Sequence, residues 1–282
     1  MPNSSFDKLP DGPPPGAVAR DLDVLEHAAI TIVREAYATL RPMAMLWSMG
    51  KDSTALLWIV RKAFFGEVPF PVVQLDTELE LDEVYVFRGR LERAWRLDLR
   101  VELCPPEDQM DPTLPPATRA AARKTEGLKK YLQREGPQGV IVGIRRDEQS
   151  TRAKERIVSP RSPDGTWNVR AQPPELWGYY ATDVPHGAHV RVHPLLHWTE
   201  IDIWRYTQRE HIPYVDLYLA RDGMRYRSLG EKNITVPIRS DAASIDAIIA
   251  ELAATREPER AGRVMDNESE DSFERLRTAG YM

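Results

Sequence analysis

Met43-Ala-Met-Leu-Trp-Ser-Met-Gly-Lys-Asp-Ser53 is an apolar strand that runs into a small polar turn, and Thr54-Ala-Leu-Leu-Trp-Ile-Val-Arg-Lys-Ala-Phe64 follows it as a helix. A strand that breaks at Ser48 and Gly50 and opens a helix with Lys51, Asp52 and Ser53 brings backbone N–H groups, a positive helix end and an ammonium to one point. Those are the groups that hold phosphate oxygens. The turn is not a Walker A loop. That motif needs Gly at 45 and Ser or Thr at 52, where this chain has Met45 and Asp52. The plainer reading is a strand–helix turn with Asp52 and Ser53 as caps.

Outward from the loop, short apolar runs alternate with helical patterns. An amphipathic helix starts at Asp21 and ends at Arg41-Pro42; strands are expected at 43–47, 71–76, 99–103 and 139–144, and helices at 53–65, about 80–96 and about 117–134. This order implies right-handed crossovers and a mostly parallel, doubly wound α/β sheet, whose ligands bind beyond the C-terminal strand ends. Three such ends carry polar groups: Ser48–Ser53, Asp76-Thr77, and Gly143 through Asp147. Residues 159–188 are rich in Pro, Gly and aromatics and show no period; 190–195 reads as one more strand. Thr199 and Asp202 form an acidic variant of the capping box for a helix running through Tyr206, and 241–256 reads as a helix with Ile245, Ile248, Ile249 and Leu252 on one side. The expected organisation is an extended or disordered segment at 1–19, a nucleotide-binding α/β domain at 20–220, and a helical extension at 221–282 that could dock a partner.

A net charge of −5 over 282 residues gives no global basic footprint for nucleic acid. No apolar run is long enough to span a bilayer, and the Pro-rich start lacks the charged-then-apolar pattern of a signal peptide, so a soluble, cytoplasmic protein is expected. Cys104 is the single cysteine, which excludes an internal disulfide and a Cys-rich zinc site. His193 and His197 flank a Pro-Leu-Leu turn without a third ligand at metal spacing and read as structural or substrate-edge groups.

Ser48-Met-Gly-Lys-Asp-Ser53 resembles the pyrophosphate loop, S-x-G-x-D-S, of ATP pyrophosphatases. Further stretches at 70–77, 124–129, 143–148, 150–157, 173–177, 192–204, 213–220 and 259–263 resemble, in order, one family: the small subunit of the two-subunit bacterial sulfate adenylyltransferase, a cousin of the phosphoadenylyl-sulfate reductases. The resemblance implies an adenine nucleotide alpha-hydrolase-like fold and transfer of the adenylyl group of ATP to sulfate, with release of pyrophosphate. It also implies a GTPase subunit as partner.

Such a transfer relies on positioning and charge neutralisation. The amides of Gly50 to Ser53 and the Lys51 ammonium suit the leaving pyrophosphate, and Ser48 belongs to the same cradle. Asp52 would orient the loop or hold Mg²⁺ through water. Asp76 and Thr77 suit the adenine amino group or ribose hydroxyls, and Gly143 would let the backbone approach the purine. Arg145, Arg146, Arg152, Lys154 and Arg156 put five cations within twelve residues as candidates for the sulfate anion, with Arg145, Arg152 and Arg156 on one face if the segment is helical. Lys51, Asp52, Arg145 and Arg146 are the candidate catalytic groups.

The chain departs from the family in three places. Glu78-Leu-Glu-Leu-Asp-Glu83 stands where a Gly-Trp-Lys-like stretch is usual, which argues against direct sulfate contact there. Arg227-Ser-Leu-Gly230 continues as Glu231-Lys-Asn-Ile-Thr235, where relatives often have Cys. No Cys follows position 104, which argues against reductase chemistry. The acidic stretch keeps a second acceptor open: a nucleic acid or metabolite adenylated for sulfur insertion, with a cysteine desulfurase as partner.

Overall fold

Strands β1 (Met43–Leu46) and β2 (Val72–Asp76) are buried along their whole length, as strands covered on both faces are; β1 is wholly apolar and β2 carries Gln74 and Asp76 alongside its apolar residues. The computed structural model describes residues 21–148, 150–175, 178, 180, 182, 187–255 and 259. The expected N-terminal segment, Trp177 and 260–282 lie outside them. β1 pairs in parallel with β2 and with β4 (Gly139–Ile141); β2 pairs in parallel with β3 (Leu99–Leu103). β4 pairs in parallel with β6 (His189–Val192), whose other side carries β5 (Val158–Arg161) antiparallel. The sheet order is β3-β2-β1-β4-β6-β5.

The chain steps outward from β1 to β2 to β3 and then returns to the other side of β1 for β4. The topology therefore reverses between β1 and β4, the position at which open α/β sheets bind ligands. Four helices precede or connect these strands: α1 (Leu22–Thr39), α2 (Lys51–Ala63), α3 (Asp82–Trp95) and α4 (Pro116–Glu135). α1 buries Leu25, Ala29, Ile32, Val33 and Ala36, the stripe its sequence spacing announced.

β5 is the strand that the aperiodic stretch concealed. It is four residues long and contains Pro160, which a strand tolerates at the edge of a sheet. The segment 145–156 is not an α-helix: only Ser150–Lys154 forms a 3₁₀ turn, so no common helical face gathers its cations. α5 (Glu200–Glu210) has the Thr199–Asp202 capping box. α6 (Ile245–Ala254) buries Ile248 and packs on α5, so its apolar side serves the chain's own core. A hairpin of β7 (Met224–Arg225) and β8 (Ile238–Arg239) joins it through buried Arg225, which donates to Glu251. Cys104 sits just past β3, and its Sγ lies within 2.9 Å of where a Cβ on Gly127 would stand. Burial pushes the Cys104 thiol up to about 12.

His193 is buried after β6, and its Nδ1–H donates to the Arg156 carbonyl at 2.7 Å. Burial lowers its pKa to about 4 despite Glu155, and lowers that of His189 to about 3. Both depressed values lie below the ~6.5 of an unfolded histidine. The unfolded chain therefore binds more protons as pH falls from about 6.5 toward 4, so stability is full above that window and declines through it. Urea unfolding at pH 7.5 and pH 5 should differ by roughly 2–4 kcal/mol, and His193→Asn should remove about half of the difference. Equal midpoints for wild type at the two pH values would contradict the buried neutral imidazoles.

Candidate functional site

The loop after β1 folds back on itself before it opens α2. Met49 takes a left-handed conformation at φ 58°, Gly50 is the N-cap, and the Ser53 hydroxyl lies 3.1 Å from that of Ser48 and donates to the Gly50 carbonyl at 3.2 Å. The Lys51 amide donates to the Tyr218 hydroxyl at 2.9 Å, which pins the first turn of the helix to a 3₁₀ turn 167 residues away in sequence. β4 ends beside this turn. A Cβ on Gly143 would meet Ser53 Cα at 3.0 Å and Ser53 N at 3.2 Å, so the glycine permits the segment after β4 to approach the first turn of α2 closely. Its close neighbour is thus the loop backbone.

Lys51 is buried, and its ammonium is ringed by carboxylates: Glu259 in direct contact, Asp52 at 3.4 Å and Glu200 at 3.9 Å. Arg145, fully buried, donates to Asp52 and Glu259 and, through Nε, to Asp147 at 2.9 Å. Asp147 in turn accepts from the Glu200 amide at the start of α5 at 2.9 Å, and the Glu200 carboxylate is held by Arg227 at 2.9 and 3.1 Å. Burial opposes the charge on Arg145, but Glu259 and Asp147 outweigh it and raise its pKa. Burial and the neighbouring Glu259 together push the Glu200 carboxyl up.

A cavity of about 210 Å³ opens from the loop. Trp47, Leu75, Ala120, Ala121, Ile144 and Leu229 give it apolar walls, with small alanines of α4 leaving a slot. Trp47 is fixed by its indole N–H, which donates to the Thr54 hydroxyl at 3.1 Å. Ser48, Gly50, Lys51, Asp52, Ser53, Gly143 and Arg152 line the cavity, Arg152 being paired with Glu148. At its far end Glu80 and Glu231 meet in an antiparallel bridge, and Lys124 pairs with Glu80 at 2.9 Å. The two acidic departures from the family pattern thus come together in space.

The remaining candidates lie elsewhere. Asp76 turns its carboxylate to the Tyr85 hydroxyl at 2.9 Å, the Glu78 amide at 2.8 Å and Arg88 at 3.2 Å, while Thr77 offers its carbonyl to Arg123; neither lines the cavity. Arg146 lies 2.9 Å from His197 and lines a separate cavity with Arg156. Lys154 is exposed. The five-cation cluster is therefore split, with Arg145 and Arg152 on the loop side. Half of the acidic stretch is accounted for by α3, whose first turn carries Asp82 and Glu83 where carboxylates oppose the positive helix end. Glu200, Tyr218, Arg227 and Glu259 were missed. Tyr218 and Glu259 fall in segments that resembled the family, but nothing in their local spacing ties them to residue 51. Among the described residues no group of three or more His, Cys, Asp or Glu is arranged to hold a metal ion. A divalent ion here fits only as one carried by phosphates and reached by Asp52 through water.

The phosphoadenosine phosphosulfate reductase domain matches residues 42–237. Sulfate adenylyltransferase subunit 2 of Rhizobium johnstonii is 38% identical, with all of both chains covered. That of Pseudomonas savastanoi pv. phaseolicola is 37% identical over 92% of this chain and 97% of its own. Among solved structures, FMN adenylyltransferase of Candida glabrata with FMN and the ATP analogue AMPCPP superposes with a TM-score of 0.52 at 18% identity, over 78% of this chain and 70% of that one. Phosphoadenylyl-sulfate reductase of Candida auris, as a phosphate complex, gives 0.50 at 15% identity, over 78% and 100%. At those identities the two structures speak to the fold, an adenine nucleotide alpha-hydrolase-like sheet flanked by helices. No described helix is long and apolar enough to cross a membrane.

Gly143→Ala should force the end of β4 away from the α2 N-terminus, because the atoms in its way are backbone. The expected loss is about 1–3 kcal/mol by urea unfolding, as for other overpacked sites. An unchanged midpoint would mean that Gly143 and the first turn of α2 are not in rigid contact.

Proposed function

Because this chain belongs to the phosphoadenosine phosphosulfate reductase domain family and, within it, to the sulfate adenylyltransferase subunit 2 proteins, we propose that it transfers the adenylyl group of ATP to sulfate, giving adenylyl sulfate and pyrophosphate. The observation that carries this reading is the meeting of Lys51, Arg145 and the Gly50–Ser53 turn at the point between β1 and β4 where the sheet reverses. Two anions react, and the site gathers buried cations at a helix N-terminus beside an apolar slot of suitable chemistry for a purine.

In this reading the amides of the turn and the Lys51 ammonium receive the β and γ phosphates, and charge accumulating on the leaving pyrophosphate is met by groups already in place. Asp52, bonded to Arg145, holds that guanidinium against the loop. Asp52 would hold, through water, a Mg²⁺ carried by the nucleotide, which would supply charge neutralisation between the two anions. Sulfate approaches from the side of Arg145 and Arg152. The second acceptor reading drew on the acidic stretch, of which only Glu80 lines the cavity, where Lys124 is its partner.

A phosphate–sulfate anhydride is costly to form, so the reaction needs a coupled energy source. The name subunit 2 borne by the relatives supports a second subunit, and we assign it the GTPase role. The C-terminal extension, 221–282, is the proposed docking region.

Lys51→Ala should lower affinity for ATP or its turnover by about tenfold or more, the scale of a lost charged hydrogen bond. With the partner present, sulfate should stimulate exchange of labelled pyrophosphate into ATP, and the nucleotide product of turnover should be an adenylate. ADP as the main product, or exchange indifferent to sulfate, would refute the proposal.

A further inference from the structure

Glu259 lies outside every described helix and strand, 208 residues from Lys51 in sequence, yet its side chain is 3% exposed at the centre of the loop. Its two oxygens are divided between the two buried cations: Oε1 accepts from the Lys51 ammonium and Oε2 from the Arg145 guanidinium. A bridging anion between an ammonium and a guanidinium at a helix N-terminus is the arrangement that phosphate oxygens adopt. Burial disfavours the charged form, but Lys51 and Arg145 prevail and hold the carboxyl well below the ordinary range. Glu259 is therefore an anion in this position at neutral pH.

The local balance makes that anion consequential. Asp52, Asp147, Glu200 and Glu259 face Lys51, Arg145 and Arg227, four carboxylates against three cations. A polyphosphate added to this set would meet carboxylates at close range, and Glu259 is the one that touches both buried cations. Three of the carboxylates are tied to the framework: Asp52 stands in the first turn of α2, Asp147 accepts from the N-terminus of α5, and Glu200 is clamped by Arg227. Glu259 alone of the four is attached through the C-terminal segment.

We propose that the Glu259 carboxylate occupies the phosphate position of the loop and competes with the polyphosphate of the nucleotide for Lys51 and Arg145, so that nucleotide binding displaces Glu259. The inference rests on the reading of the loop as a phosphate site. It gives Glu259 a role at the site itself: its withdrawal exchanges one intramolecular anion for the ligand's and leaves both cations paired throughout.

The test is calorimetric titration of the full-length protein with inorganic pyrophosphate and with AMPCPP. Glu259→Gln removes the competing charge and should tighten both by about tenfold, while Lys51→Ala should weaken both. Unchanged or weaker binding by Glu259→Gln overturns the competition and leaves the phosphate reading of the loop standing. Failure of wild type and both variants to bind either ligand overturns the phosphate reading as well. Hydrogen exchange in the wild-type chain avoids any folding defect of the variants: the peptide carrying residue 259 should exchange faster with saturating pyrophosphate. Unchanged or stronger protection there would refute displacement of Glu259.

Discussion

Burying the Lys51 ammonium and the Arg145 guanidinium sets the terms for everything around them. An ammonium removed from water costs several kcal/mol unless anions replace its hydration. The chain meets this by drawing carboxylates from four separate segments: Asp52 on α2, Asp147 after β4, Glu200 on α5 and Glu259 near the C-terminus. Arg227 then neutralises Glu200, which carries the network into the segment between α5 and α6. A loop of six residues thereby organises contacts from one end of the described chain to the other. The network also explains why 221–255 lies against the α/β unit, with Ser228 to Glu231 forming part of the cavity wall.

The fold was legible because its signals are local. Apolar runs of four to six residues mark β1 and β2, and helical spacing marks α1, α2 and α4. The Thr199–Asp202 pair marks the start of α5 within one residue. β5 escaped because an edge strand of four residues with a proline has neither length nor alternation to offer. The loop itself was legible for the same reason as the strands, since its glycine, lysine and serines are consecutive.

The site was less so, because its charges are assembled by tertiary contact. Arg145 and Arg146 are neighbours in sequence, yet they serve opposite sides of the chain: one closes on Asp52, the other lies beside His197. β4 stops at Ile141, and the residues after it pass through a bend and a turn that belong to neither helix nor strand, so Arg145 and Arg146 share no face. A cation cluster read along the sequence is for that reason two half-clusters in space. Asp76 shows the converse. A carboxylate at a strand end looks like a ligand group, but Tyr85 and Arg88 of the following helix turn it into a brace for α3.

The position of Cys104 has a consequence for the chemical setting in which such a protein works. A thiol that ionises only near pH 12 offers almost no thiolate at neutral pH, and the thiolate is the form that attacks disulfides, peroxides and sulfane sulfur. The chain has no other cysteine. Cys104 is thus poorly disposed to thiolate chemistry with oxidants or reduced sulfur species at neutral pH, and its place in the fold is that of a packing group against Gly127.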